Sequence, residues 1–156
     1  MEWTESIDVD APLARVRAPV ADQHELMAWS AWPAATGYDC SVDGDGRSVG
    51  SSIVRDSAGA ERGRQTMTLV ADDRVEHRLV NRGPGGRDIR PEVDVRFESA
   101  GPDRTRVHLD FRATPPLPPV VRQRAELVLS RKVRALHVED LLQLEAHVEG
   151  GSDRAS

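Results

Sequence analysis

Between residues 37 and 112, apolar side chains recur at every second position in six short segments, which are separated by turn-forming residues. A period of two is typical of β-strands, whose side chains point alternately to the two faces of a sheet. The segments span residues 38–42, 48–55, 65–69, 75–79, 93–97 and 107–111. Because short turns join consecutive segments, they predict an antiparallel meander, with Asp43-Gly44-Asp45-Gly46 typical of its first hairpin.

The residues before this meander predict one more strand and two short helices. Apolar and polar residues alternate over residues 3–9, which is the pattern of a half-buried strand. Pro12 suits the first position of a helix, because no amide hydrogen is needed there. Asp22 and Glu25 have the spacing of a capping box, which predicts a second short helix that ends near Trp29, before Pro33.

A proline-rich connector follows the meander and precedes a long helix, predicted over residues 120–149. One face of this helix carries Val133, His137, Leu141, Leu144 and Val148. Such spacings of three and four residues indicate a helix that buries one side. Glycines after residue 149 predict its end. We therefore expect one domain over residues 1–150 and a disordered tail over residues 151–156.

Length, charge and cysteine content exclude several classes of protein. The 156 residues fit one domain, and the net charge of −5 argues against a nucleic-acid partner, which calls for a basic face. The single cysteine, Cys40, excludes an internal disulfide. We expect no signal peptide and no membrane span, because no apolar run is long enough, and a cytoplasmic location is the default.

Nothing in the sequence indicates a metal or another cofactor, and we expect neither. The five histidines show no metal-ligand pairing. The glycines near residues 44–50 lack the spacing of a phosphate-binding loop. Cys40 lies in a predicted strand and is interpreted as a small packing residue rather than a nucleophile.

Several short motifs occur in an order that resembles a known family. Residues 7–16, with an Ala-Pro pair after the first strand, resemble the family's opening strand and helix. Trp29-Ser30-Ala31-Trp32 is similar to its paired tryptophans, and residues 49–51, 63–67 and 141–144 match weaker positions. Together they resemble the START-like (SRPBCC) superfamily, which includes polyketide cyclase/dehydrase-type, lipid-transfer and plant allergen-type proteins.

The resemblance implies an α+β helix-grip fold: a curved antiparallel sheet of about seven strands, in the order β-α-α-β6-α, around a long C-terminal helix. It also implies a cavity between sheet and helix for a small hydrophobic molecule, and it leaves a homodimer possible. The expected apolar wall of this cavity comprises Met67, Leu69, Leu79, Val95, Phe97, Leu109, Phe111 and Leu141. Trp29 and Trp32 are expected at its mouth, and His77 and His137 as polar anchors within it.

Each of these assignments has a structural alternative. A histidine on an apolar face is often satisfied by a backbone group and binds no ligand. Trp29 and Trp32 would serve equally as a plug between the short helices and the sheet. Met67 and the helix leucines are more typical of a packed core than of specific ligand contacts.

Three functions remain open from the sequence. The first is a carrier or sensor that binds a lipid, a polyketide or an aromatic metabolite without catalysis. The second is a polyketide cyclase or dehydratase that uses His77 or His137 as a general acid or base. The third is a protein-interaction module that uses a sheet edge or the paired tryptophans.

Overall fold

The computed structural model describes residues 1–154, which form one curved sheet, three short helices and one long helix. The strands are β1 (Glu2–Val9), β2 (Asp39–Asp43), β3 (Ser52–Ser57), β4 (Ala60–Val70), β5 (Arg74–Arg82), β6 (Asp88–Ile89), β7 (Glu92–Ser99) and β8 (Thr105–Arg112). The helices are α1 (Leu13–Ala21), α2 (Gln23–Trp29), α3 (Trp32–Thr36) and α4 (Pro119–Arg154). The antiparallel sheet has the order β1-β8-β7-β5-β4-β3-β2, and the short β6 pairs with β5. This architecture confirms the predicted helix-grip fold.

Two irregularities bend the longest strand, β4. Arg62 has no register partner on β3, because the pairing shifts from Arg55–Gly63 to Asp56–Glu61. Thr68 has none on β5, because the pairing passes from Met67 to Leu69. A bulge places an extra residue in one strand and bends it, so the sheet curves and presents a concave face.

Helix α4 crosses the concave face with the side that its sequence pattern predicts. His137, Leu141, Leu144 and Val148 are buried there, with Val133 half-buried beside them. An ion pair between Arg134 and Glu5 fixes the helix to β1. Within residues 1–154, no helix is long and apolar enough to cross a membrane.

The interior is closely packed at the end of the sheet nearest α1. Val16 and Val20 from this helix join Val75, Phe97 and Val107 from the sheet in one cluster. Their relative exposures are 0 to 4%. Burial of each such side chain stabilises the fold by roughly 1.5–3 kcal/mol. Val20 also borders the open space that remains between the sheet and α4.

One predicted helix boundary is confirmed and one is wrong. The second short helix, α2, ends at Trp29 as expected, but an additional helix, α3, follows it, and Pro33 lies in the first turn of α3, where a proline needs no amide hydrogen. Helix α4 continues to Arg154 instead of ending near residue 149. Gly150 and Gly151 do not adopt the left-handed conformation that would cap it. The last part of the predicted tail, residues 155–156, lies outside the described residues.

The predicted hairpin at residues 43–46 forms, since β2 pairs with β3 directly after Asp43, but its loop is longer than expected and spans residues 44–51. The Asp45 carboxylate organises this loop by accepting bonds from the amides of Arg47 (2.8 Å) and Ser48 (2.7 Å) and from the Ser51 hydroxyl (2.8 Å). These hydrogen bonds hold the pKa of Asp45 below its ordinary value. Aspartate stabilises such loops by replacing backbone partners.

Candidate ligand-binding cavity

A cavity of about 300 Å³ lies between the concave sheet face and α4. This volume is at the lower end of the range of small-molecule sites, roughly 300–1,000 Å³. Its apolar wall combines side chains of both layers, including Ile53, Leu79, Val95, Leu109, Leu141 and Leu144. The wall exists because the curved sheet and a single straight helix cannot meet over the whole concave face.

Nine of the twelve residues that the sequence nominates for ligand binding line this cavity. They are Trp29, Trp32, His77, Leu79, Val95, Leu109, Phe111, His137 and Leu141. They meet there because the strand alternation and the helical face both turn these side chains toward one space. Their role in binding a ligand remains a prediction.

The other three predicted wall residues lie elsewhere. Met67 and Phe97 are buried in the packed cluster, with exposures of 0% and 4%, and do not reach the cavity. Leu69 is 36% exposed. The bulge at Thr68 shifts the alternation of β4 by one residue, so Leu69 no longer shares a face with Met67.

His77 is the most deeply buried polar group of the cavity wall. It lies opposite Met67 on β4 and Val93 on β7, with only 1% of its surface exposed. Neither ring nitrogen has a hydrogen-bond partner of good geometry among the described residues, although the Val93 backbone lies close enough to favour the charged ring slightly. Burial lowers the pKa of His77 to about 4, so the imidazole is neutral near pH 7. The neutral ring has one donor and one acceptor nitrogen, but both are covered by the wall, so a bound molecule would reach them only after a small side-chain rearrangement.

His137 sits among aromatic rings at the opposite wall. Its ring centroid lies 4.9 Å from that of Phe111, 5.7 Å from Trp3 and 5.8 Å from Trp32. The Trp3 indole Nε1 donates to His137 Nδ1 at 3.2 Å. Burial lowers the pKa of His137 to about 4. Because Nδ1 accepts, the neutral ring carries its hydrogen on Nε2.

Asp140 is a cavity residue that the sequence reasoning missed. Its Oδ1 accepts from the Ala31 amide at 2.8 Å and from the Ser30 hydroxyl at 3.0 Å. Burial raises the pKa of Asp140 to about 6, although these two bonds, the Trp32 indole and the Arg55 charge favour the ionised form. Asp140 follows His137 by three residues and therefore lies on the same face of α4, so the sequence could have indicated that it faces the cavity.

The sequence analysis also missed a group of polar side chains at the β3–β5 side of the cavity. The Arg55 guanidinium is half-buried, and its Nη2 donates to Gln65 Oε1 at 2.8 Å. Burial lowers the pKa of Arg55, but a guanidinium stays charged in proteins. Asn81 lines the same side of the cavity. The strand alternation that turns Ile53 inward also turns Arg55 inward, which was the usable signal.

The two predicted mouth residues have different environments. The Trp29 indole donates to the Pro19 carbonyl at 3.0 Å, which ties α2 to α1. The Trp32 ring instead packs against the imidazole of His137 in a tilted arrangement. Trp29 therefore joins two helices as well as lining the cavity, whereas Trp32 contacts a polar group inside it.

Residues suited to a metal do not come together in the described part of the chain. No group of three histidine, cysteine, aspartate or glutamate side chains there has the geometry to hold an ion. Cys40 lines the cavity, and burial raises the pKa of its thiol, so the reactive thiolate is disfavoured.

Comparisons with known proteins give the family of the chain. A family model described as polyketide cyclase / dehydrase and lipid transport matches residues 1–149. A search of curated proteins gives no match.

Solved structures with the same architecture share little sequence with this chain. A hypothetical protein from Helicobacter pylori has a TM-score of 0.70 at 11% identity, over 95% of this chain and 88% of that one. A conserved protein from Geobacillus kaustophilus has a TM-score of 0.68 at 12% identity, over 96% of each chain. An HSP90 activator from Plasmodium falciparum has a TM-score of 0.54 at 14% identity, over 81% of this chain and 86% of that one. At such identities the likeness shows the fold alone.

Proposed function

The chain belongs to the family of polyketide cyclases, dehydrases and lipid-transport proteins, and from this premise we propose that it binds one small hydrophobic molecule in its cavity, as a carrier or sensor. The observation that carries the proposal is an apolar cavity of about 300 Å³ with an unpartnered neutral imidazole, His77, in its wall. An apolar ligand would gain roughly 0.8 kcal/mol for each methylene that it buries.

His77 supports a ligand with one polar atom along its length. A buried donor or acceptor without a partner costs about 1–3 kcal/mol. A carbonyl or hydroxyl group placed next to His77 would remove that cost. The apolar wall would then supply affinity, and the imidazole would fix the orientation of the ligand.

Native mass spectrometry of the purified protein, followed by solvent extraction and mass analysis, tests this proposal. We expect a bound apolar molecule of a few hundred daltons or, in stripped protein, saturable binding of the neutral dye Nile red. A His77→Leu variant tests the role of the imidazole. If it still binds the dye saturably but prefers different ligands, the role of His77 is supported. If stripped and unstripped protein bind neither a natural molecule nor the dye, the proposal is wrong.

A second candidate, a cyclase or dehydratase, is favoured by the position of Asp140. A pKa near 6 is close to the working pH of a general acid or base, whereas the histidines, with pKa values of about 4, are weaker bases. In this proposal Asp140 exchanges protons with a polyketide-like substrate, and His77 and His137 hydrogen-bond to its carbonyl oxygens.

Turnover of a polyketide-like model substrate would separate the two candidates. Asp140→Asn keeps an acceptor oxygen but cannot exchange a proton, so turnover should fall by about 10²-fold or more. The double variant His77→Ala, His137→Ala tests the histidines in the same assay. Turnover that survives in both variants would exclude these residues as acid–base groups.

Other sequence-based expectations remain predictions. These are the cytoplasmic location and the homodimer. An interaction role for the paired tryptophans has less support, because both line the cavity and are half-buried.

A further inference from the structure

The charges that line the cavity are unevenly distributed. Three arginines, Arg55, Arg62 and Arg82, line it, against one described acidic side chain, Asp140. The chain as a whole has a net charge of −5, so this local excess of cations runs against the overall charge. A concave, partly apolar site with a positive edge attracts anions more strongly than a flat surface does.

The sheet register brings the arginines to one side of the cavity. Arg55 on β3 lies opposite Gly63 on β4, and Gly63 lies opposite Asn81 on β5. Arg82 follows Asn81, and the bulge places Arg62 next to Gly63 without a partner on β3. The cationic side of the cavity is thus formed by three neighbouring strands.

Gly63 leaves open space between the two polar side chains of this row. A Cβ built on Gly63 would lie 2.7 Å from Asn81 Oδ1 and 3.6 Å from Arg55 Nη1. A side chain at this position would force the Asn81 amide to move, and it would lie in van der Waals contact with the guanidinium. The glycine therefore keeps the Arg55 and Asn81 groups accessible from the cavity.

Arg55 is the most buried of the three cavity arginines, since Arg62 and Arg82 are exposed. Among the side chains that the structure describes, it forms no ion pair, and its hydrogen-bond partner is the neutral Gln65. Arg82, in contrast, lies 3.2 Å from Asp88. Asp140 attracts Arg55 electrostatically, but its hydrogen bonds come from Ser30 and Ala31.

We propose that the ligand is amphipathic and carries an anionic head group, a carboxylate, which Arg55 binds at the β3–β5 side of the cavity. This inference rests on the proposed function and names the class of molecule that the cavity takes. A guanidinium presents parallel N–H donors that match the two oxygens of a carboxylate. The apolar tail would then extend along Leu79 and Leu109 toward α4.

Three probes with the same apolar tail test the head group: decanoate, decanol and decyltrimethylammonium. Stripped wild-type protein is titrated with each at pH 7.5, below the micelle concentration, by displacement of Nile red. We expect decanoate to bind at least about tenfold more tightly than decanol, and the cation to bind more weakly than both. Equal affinities for decanoate and decanol would overturn the inference.

Two variants assign the preference to Arg55. Arg55→Met should reduce the ratio of decanoate to decanol affinity to near one and leave decanol binding within about threefold of wild type. The control, Arg64→Met, removes a cation that pairs with Asp43 and Glu61 outside the cavity, and should keep the wild-type ratio. A preference that survives Arg55→Met, or one that Arg64→Met also removes, contradicts the assignment.

The same data separate this inference from the proposed function. Decanol binding without a preference for decanoate leaves the apolar cavity proposal intact and refutes the anionic head group. Failure of all three probes and of the dye refutes both. If Arg55→Met does not fold, Arg55→Lys provides the test, because a lysine keeps the charge but cannot form two parallel bonds and should give an intermediate ratio.

Discussion

The indole Nε1 of Trp3, in the first strand, donates a hydrogen bond of 3.2 Å to Nδ1 of His137, in the last helix. The bond joins residues that are 134 positions apart and lies at the wall of the cavity. It also determines the tautomer of His137, because an indole nitrogen can only donate. Closure of the helix on the sheet and the chemistry of one cavity residue thus depend on the same contact.

Trp3→Phe should therefore change both stability and the titration of His137. The phenyl ring keeps stacking on Phe111, whose centroid lies 4.4 Å from that of Trp3, but offers no donor. We expect a loss of about 1–2 kcal/mol in the free energy of unfolding. The pKa of His137 should rise from about 4, because the lost bond favoured the neutral ring. NMR of the imidazole protons measures this shift, and an unchanged pKa would show that burial alone sets it.

His77 should make the protein less stable as the pH falls. Its pKa of about 4 lies below the ordinary 6.5, so between these values the unfolded chain binds a proton that the native chain does not. Stability is thus fully present above pH 6.5 and is lost as the pH falls toward 4. His77→Gln should reduce the loss between pH 7 and pH 5 by about 2 kcal/mol, measured by urea unfolding. His24→Gln, the same substitution at an exposed site, serves as the control.

Asp140 should have the opposite pH dependence. Its pKa of about 6 lies above the ordinary 3.8, so in this window the native chain binds the extra proton. The stability from this group is present below pH 3.8 and is lost as the pH rises through 6. Asp140→Asn keeps an oxygen acceptor for Ser30 and Ala31. The free energy of unfolding of this variant, relative to that of wild type, should therefore be higher at pH 8 than at pH 4.5. We expect urea unfolding to show a change of about 1–2 kcal/mol in this relative value between the two pH values. The same difference at both pH values would contradict the raised pKa.

Much of the fold could be predicted, because it follows from local patterns. In the sheet and in α4, apolar residues occupy the buried side and polar residues the exposed side. This produces a sequence pattern that repeats over many residues in each. The bulge at Thr68 could not be predicted, since Gln65, Met67 and Leu69 alternate as in a regular strand. A bulge depends on the partner strand, which the local sequence does not contain.

The apolar wall was more predictable than the polar groups of the cavity. A valine or leucine on an inward face is buried in nearly any fold of this class, so residues such as Leu109 and Leu141 were found. A charged residue is by default assigned to solvent. The burial of Arg55 and Asp140 depends on Gln65, Ser30 and Ala31, which other elements bring to them.

A pair of tryptophan substitutions tests whether ligand binding depends on the empty volume. Leu79 lines the cavity, whereas Leu69, on the adjacent strand, is 36% exposed and lies outside it. Leu79→Trp should fill part of the 300 Å³ and weaken Nile red binding by about tenfold or more, because overpacking displaces the ligand or strains the wall. Leu69→Trp adds the same side chain to the same sheet and should bind the dye like wild type. Thermal unfolding of both variants distinguishes a filled cavity from a damaged fold. Equal dye affinity in wild type and in a folded Leu79→Trp variant would mean that the dye binds elsewhere, and the space between sheet and helix would then have no demonstrated role.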